Sequence, residues 1–162
     1  MNASSQPAAT SFPAAVDELL AAVARDGFTL RYCNGPEAPT LMVGTYDWGA
    51  YIDLVVIRAI DDVVTARIPA AQVEDVFAPE VMVWLYQGDA EPALKALLDL
   101  PHPEHPHAPT TPVPAPAVLR VPAAREAPVT LRPPSALAAR TRQMRLGAAL
   151  LADTIEAPSE TK

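Results

Sequence analysis

LMVGTYDWGAYIDLVVIRAIDDVVTARI, at residues 41–68, is the stretch that decides the fold. Its apolar, β-branched runs predict strands at Leu41–Tyr46, Tyr51–Ile60 and Val63–Ile68. Asp47-Trp48-Gly49 separates the first two runs, and Asp61-Asp62 separates the next two. Both are turn-forming sequences. Connections this short join antiparallel neighbours, because a parallel crossover needs about a dozen residues or more.

Two more strands and two helices are predicted on either side of this stretch. The strands lie at Phe28–Tyr32 and Val81–Tyr86. Apolar residues at helical spacing predict helices at Pro13–Asp26 and Ala90–Leu100. Ser11 is expected to cap the first helix, and Gly27 is expected to end it in a left-handed conformation. The fold class is therefore α+β, with a small antiparallel sheet of about four to five strands.

The composition changes abruptly after Leu100. Eleven of the nineteen prolines lie in residues 101–134, which predicts an extended, polyproline-type linker. A final helix is predicted from Ser135, its N-cap, to about Glu156. The expected organisation is a disordered lead at 1–10, the α+β domain at 11–100, the linker at 101–134, the C-terminal helix at 135–157 and a disordered end at 158–162. We expect the domain to fold without the tail.

Two β-capable islands interrupt the proline-rich segment, at Val118–Val121 and Val129–Arg132. Both are expected to be extended. Val129–Leu131 is β-branched and apolar, and an open antiparallel sheet has unpaired backbone groups at its edges. We therefore expect at least one island to pair with a sheet edge.

The cysteine content and the hydropathy pattern bound the class of protein. The single cysteine, Cys33, excludes an intramolecular disulfide. The chain has no 18-residue apolar run and its first ten residues do not resemble a secretory signal. We therefore expect a cytoplasmic protein that makes no membrane contact. Arginine is strongly preferred over lysine, and alanine and proline are abundant, a composition typical of a GC-rich bacterial genome.

The charge is distributed unevenly. The formal net charge is −7 overall, but residues 1–100 carry 14 acidic and 5 basic side chains, and residues 101–162 carry 5 acidic and 7 basic ones. The segment from Arg120 to Arg145 holds six arginines and one acidic residue, Glu126. A basic arm on an acidic domain can meet nucleic acid, an acidic partner or its own domain.

The histidines and the cysteine are the first candidates for chemistry. His102, His105 and His107 lie together with Glu104, which suggests a metal site. In a polyproline helix, however, His102 and His105 would be roughly 9 Å apart, too far to share a zinc ion. Cys33 follows an apolar strand and has no histidine base in the domain, so a buried thiol is expected. We predict no metal, no cofactor and no catalytic residue, and no phosphate-binding motif is present.

Asp53 interrupts an apolar strand, and two groups of aromatic residues lie in or beside the predicted strands: Tyr46, Trp48 and Tyr51, and Trp84 and Tyr86. Its ordinary position would face water, and the aromatic residues would ordinarily pack in the core. An alternative hypothesis is that the chain is a small enzyme in which Asp53 lies in a pocket lined by these aromatic residues. The arginines at 120–145 leave open a small DNA-associated regulator, although no recognised module contains them.

The C-terminal helix favours a third function. Leu137, Met144 and Leu151 recur every seven residues, with Thr141, Ala148 and Ile155 at the complementary heptad position. Arg140, Arg142 and Arg145 keep the early helix polar. We predict a non-catalytic interaction or adaptor protein that binds a protein partner through the acidic domain and the tail. The helix is expected to dock on a partner, a second copy or the acidic domain. Its predicted contact residues are Leu137, Met144, Leu151, Ile155, Arg140, Arg142 and Arg145.

Overall fold

A computed structural model describes residues 12–35, 37, 39–122, 124 and 128–156, without the side chains of 153–156. The predicted disordered ends at 1–10 and 158–162 and the predicted cap Ser11 lie outside the described residues. The helices are α1 (Ala14–Arg25), α2 (Ala90–Asp99) and α3 (Ala138–Glu156). The strands are β1 (Thr29–Cys33), β2 (Leu41–Asp47), β3 (Tyr51–Ala59), β4 (Asp62–Pro69), β5 (Val81–Met82), β6 (Trp84–Gly88), β7 (Val113–Pro114) and β8 (Val129–Arg132).

The α+β class, the N-terminal helix and the C-terminal helix are confirmed. The main sheet is larger than predicted, with six antiparallel strands in the order β6-β4-β3-β2-β1-β8. The predicted strand Val81–Tyr86 divides at Val83, where β5 leaves to pair with β7 and β6 continues along β4. The sheet thus gains its extra strand from the tail.

The two glycines predicted to adopt a left-handed conformation, Gly49 and Gly27, do so, whereas the turn predicted at Asp61-Asp62 lies at residues 60–61 and Asp62 begins β4. Gly49 has a φ of +93°, and its amide donates a hydrogen bond to Asp47 Oδ1 at 2.7 Å. Gly27 ends α1 with a φ of +100°. A Cβ atom there would overlap the carbonyl oxygen of Ala138. Glycine at position 27 therefore permits both the helix stop and the close approach of α3.

The proline-rich segment packs on the domain. The island Val129–Arg132 is β8, which pairs with β1 as predicted. The prediction of an extended chain is wrong for the other island, where Ala117–Leu119 forms a 3₁₀ turn. It is also wrong for residues 102–108, where the amides of His105 and Ala108 close successive turns onto His102 and His105. A turn satisfies backbone groups locally, which an extended polyproline chain cannot do.

Each face of the sheet has its own apolar core. Alternation along β3 directs Val55 and Ile57 to the face covered by α1 and α2, and Leu54 and Val56 to the opposite face. Leu119 and Val121 from the tail complete that opposite core, and both are buried. Of the helices described, none has the length and apolar character needed to cross a bilayer.

Candidate interaction site

Asp53 and Arg67 form a buried ion pair beneath the helices. They are direct partners in the β3–β4 register, which brings their side chains together on the helix-covered face. Arg67 Nε lies 2.6 Å from Asp53 Oδ1, and Arg67 donates a second bond to Oδ2 at 3.0 Å. Both side chains are fully buried. The prediction that Asp53 faces water is wrong, because its charge is matched by the arginine on the neighbouring strand.

α3 adds Arg142, also fully buried, to this pair. One terminal nitrogen of Arg142 lies 2.7 Å from Asp26 Oδ2, and the other lies 3.0 Å from Asp53 Oδ2. Arg145, one turn along, donates two bonds to Asp26 at 2.7 and 3.0 Å. This hydrogen bonding raises the pKa of the Arg145 guanidinium above its ordinary value. Asp26, Asp53, Arg67, Arg142 and Arg145 are called the buried charge cluster below.

The C-terminal end of α2 completes the surroundings of this cluster. The carbonyl oxygens of Leu97, Leu98 and Pro101 accept hydrogen bonds of 2.7–2.9 Å from its three arginines. The carbonyls at a helix C-terminus carry partial negative charge and therefore favour cations. The two aspartates and these carbonyls together compensate the arginines, as burial of charge requires.

Aromatic rings close the cluster on its remaining side. The Arg142 guanidinium lies 5.1 Å from the ring centroid of Phe28 and 5.8 Å from those of Tyr46 and Trp48. Trp48 also donates its indole N–H to Asp53 Oδ2 at 2.8 Å. Asp53 is thus enclosed by donors and has no exposed surface. The arrangement fixes α3 on the domain and leaves this carboxylate no access to a substrate.

The opposite face of α3 carries apolar side chains that nothing in the described part of the chain covers. At about 100° per residue, Leu137, Met144 and Leu151 all lie about 180–220° around the helix from Arg142. Their side chains are 77%, 64% and 65% exposed. These three residues are called the outer stripe below. Arg140 and Ala148 are also exposed beside it, and the side chain of Ile155 lies outside the described residues.

The predicted contact residues of the C-terminal helix therefore divide into two groups. Arg142 and Arg145 bind the helix to its own domain. Leu137, Met144, Leu151 and Arg140 remain on the surface.

A shallow pocket of about 290 Å³ lies where α3 meets the loops. Among the side chains that line it are Trp48, His102, Glu104 and Gln143. The His102 ring packs edge-on against Trp48 at 4.8 Å, and its Nδ1 accepts the Glu104 amide at 3.0 Å. Burial lowers the pKa of His102. His102 thus serves as a packing group and as an acceptor for the turn.

The other chemical candidates have packing roles or lie on the surface. Within the described residues, no three His, Cys, Asp or Glu side chains are placed to hold a metal ion. The His105 and His107 rings lie 5.4 Å apart, and His105 Nδ1 accepts the His107 amide. Cys33 is fully buried, and burial raises the pKa of its thiol.

Sequence reasoning missed Asp26 and Arg67, which complete the buried charge cluster. Asp26 was treated as the end of α1, and Arg67 as one residue of an apolar strand. A usable signal was present, because Asp53 and Arg67 each interrupt an apolar run and the short turn at 60–61 sets them opposite each other. Asp26 gave no comparable signal, since its partners are more than 110 residues away.

Comparison with known proteins adds no relative: no family model matches the chain, and neither a curated protein nor a solved structure shows significant similarity to it.

Proposed function

We propose that this chain is a non-catalytic interaction protein that presents one face of its C-terminal helix to another protein helix. The observation that carries the proposal is the orientation of α3. Arg142 is buried, while Leu137, Met144 and Leu151 are 64–77% exposed. Because its charged face already holds the helix in place, the apolar stripe is ordered before a partner binds, and binding loses little further conformational entropy.

The location of the exposed apolar side chains supports this proposal. Of the six large hydrophobic residues that are exposed in the described part of the chain, four lie in β8, in α3 or in the turn that leads directly into α3. Three of these four form the outer stripe, and the fourth is Leu131. Exposed apolar residues gathered along one helix face are more often sites of protein contact than apolar residues scattered singly over a surface. Apolar residues that repeat every seven residues along a helix typically pack against another helix or into an apolar groove.

The two alternative functions receive less support. Two of the six arginines at 120–145, Arg142 and Arg145, are paired with Asp26 and Asp53 and are not presented to phosphates. Arg120, Arg132 and Arg140 are exposed but lie on different elements. Catalysis by Asp53 would require access to a carboxylate that is fully buried.

A capture experiment tests the proposal with single-residue variants. The full-length parent, Leu151→Asp and Ala152→Asp are each used to capture proteins from the source cell, and any second copy of the chain in the captured fraction is also scored. Ala152 is an exposed neighbour that lies about 100° from Leu151, so its variant matches charge and helix position.

We expect the parent and Ala152→Asp to capture the same helical partner and Leu151→Asp to lose it, because an unpaired carboxylate is costly in an apolar contact. Identical capture by all three chains would contradict the proposal.

A further inference from the structure

We infer that Asp26, Asp53 and the aromatic rings beside them form a binding site for a guanidinium group, and that Arg142 of α3 occupies this site from within the same chain. The helix is thus an internal ligand, and a guanidinium from outside the chain competes with it. The source of that group is an arginine side chain of a partner or a small guanidino compound. This inference goes beyond the proposed function, because it concerns the inner face of α3 and is independent of the outer stripe.

The site contacts a guanidinium group on every side. Arg142 donates through Nη1 to Asp26 Oδ2 at 2.7 Å, and through Nη2 to Asp53 Oδ2 at 3.0 Å and to the Leu97 carbonyl at 2.9 Å. Its Cζ lies 5.1–5.8 Å from the centroids of the three rings that close the cluster. Carboxylates that meet a planar set of donors, together with rings that face the cation, favour arginine over lysine.

The groups that form this site all lie outside α3. Its carboxylates, its carbonyl and its rings belong to residues 26–97. Without α3, the buried charge cluster consists of Asp26, Asp53 and Arg67, which are two negative charges and one positive charge. The site then lacks one positive charge, and a buried carboxylate without a partner is costly. The domain itself therefore creates the requirement for a cation that Arg142 meets.

Few side chains attach α3 to the domain. Within residues 138–152, only Arg142 and Leu146 are buried, and the side chain of Arg145 is 42% exposed. The connection from β8, residues 133–137, runs over the surface. The tail segment that completes the opposite core precedes β8. Because desolvation offsets much of the attraction in a buried ion pair, the net stability of this attachment is modest. The helix can therefore leave the site without disturbing β8 or the opposite core.

The open pocket beside α3 gives a cationic ligand access to two of the same rings. Tyr46 and Trp48 line this pocket of about 290 Å³, and both also contact the guanidinium of Arg142. Asp47 and Glu104 line it as well, and both are exposed. Carboxylates around a concave surface attract positive charge. The pocket thus favours the approach of a basic ligand to the edge of the occupied site.

Rescue of the full-length Arg142→Ala chain by methylguanidinium tests the site. Arg140→Ala is the matched control, because Arg140 is exposed on the same helix. Melting temperatures of both variants and the parent are measured with increasing methylguanidinium, and with methylammonium at the same concentrations. We expect methylguanidinium to raise the melting temperature of Arg142→Ala alone, because a ligand that binds the folded chain stabilises it. An equal response of the three chains, or an equal effect of the two cations, would overturn the inference.

Peptides of residues 137–152 distinguish an arginine side chain from a small compound. The full-length Arg142→Ala chain is titrated with the native peptide and with peptides that carry citrulline, a neutral analogue of arginine, in place of Arg142 or of Arg140. We expect replacement of Arg142 to weaken binding about tenfold or more, and replacement of Arg140 to leave it unchanged. Rescue by methylguanidinium without binding of any peptide would assign the site to a small guanidino compound. Equal binding of the three peptides would contradict the inference.

A cleaved chain provides the test if Arg142→Ala does not fold. A protease site is inserted between Pro133 and Pro134, and the otherwise native chain is cleaved after folding, so that contacts alone hold α3. We expect the native peptide to displace the cleaved helix and the peptide with citrulline in place of Arg142 to leave it bound, as measured by size in solution. Displacement by neither peptide, or by both equally, would overturn the inference.

Discussion

The two faces of α3 reverse the usual rule for a surface helix. Its inner face buries Arg142 together with Leu146 and pairs the 42% exposed Arg145 with Asp26, and its outer face exposes Leu137, Met144 and Leu151. A surface helix ordinarily buries its apolar stripe and exposes its charges. The reversal is possible here because the domain holds two buried aspartates and the carbonyls of a helix end under the inner face. Charge complementarity inside the fold thus leaves the apolar stripe available for another molecule.

The largest expected effect comes from removing α3 and the rest of the tail together. A chain that ends at Leu100 loses Arg142 from Asp53, and it also loses Leu119 and Val121 from the core. Sequence reasoning predicts that residues 11–100 fold alone, and that prediction stays untested. The contacts lead us to expect the opposite, namely a molten or insoluble product without a cooperative melting transition in circular dichroism. Cooperative melting at the temperature of the full chain would contradict this expectation.

Replacing Arg142 removes contacts of the inner face of α3 and leaves the outer stripe unchanged. Arg142→Met leaves Asp26 and Asp53 buried with less compensation, so we expect the free energy of unfolding to fall by about 3–5 kcal/mol. Arg140→Met is the matched control, because Arg140 is exposed and two residues away. Its effect should stay within about 0.5 kcal/mol. Equal effects of the two variants in denaturant titrations would show that the buried pairs do not hold the helix.

The close approach of α3 to the end of α1 gives a smaller effect. Gly27→Ala places a Cβ atom in a left-handed conformation, at a cost of about 1–2 kcal/mol, and also against the Ala138 carbonyl. Gly49→Ala has a similar φ but meets nothing within 4 Å. We therefore expect Gly27→Ala to be the more destabilising of the two in denaturant titrations. The reverse order would place α3 farther from Gly27 than the structure does.

The smallest effect concerns pH. Because burial lowers the pKa of His102 in the folded chain, the unfolded chain binds the proton more readily. The stability linked to the neutral imidazole is therefore complete above the ordinary pKa of 6.5, begins to be lost as the pH falls below that value and is fully lost below the lowered pKa of the folded chain. In His102→Asn, whose side-chain oxygen can still accept the Glu104 amide, the melting temperature should fall less than in the parent between about pH 7.5 and about pH 5.5. An equal fall in both chains would contradict a role for His102.

Local sequence patterns predicted the antiparallel strands β2, β3 and β4, the three helices and the pairing of Val129–Arg132 with an edge of the sheet. Each of these features depends mainly on residues close together in the sequence. The 3.6- and 2-residue periods and the turn at Asp47-Trp48-Gly49 carried that information. The seven-residue spacing of the outer stripe was also visible. Its orientation could not be predicted, because it is determined by Asp26 and Asp53, which lie 116 and 89 residues from Arg142 respectively. The packing of residues 117–122 likewise depends on contacts with distant strands, and the sequence therefore indicated only a linker there.

Hydrogen exchange along α3 tests the central claim most directly, namely that the arginine face holds this helix and the outer stripe does not. Amide protection of residues 141–150 is measured in the parent, Arg142→Met and Leu151→Asp, with the amides of the central strand β3 as the internal reference. The account predicts that Arg142→Met loses protection in α3 before it loses protection in β3, and that Leu151→Asp retains the protection of the parent. Loss of α3 protection in Leu151→Asp together with its retention in Arg142→Met would contradict the account.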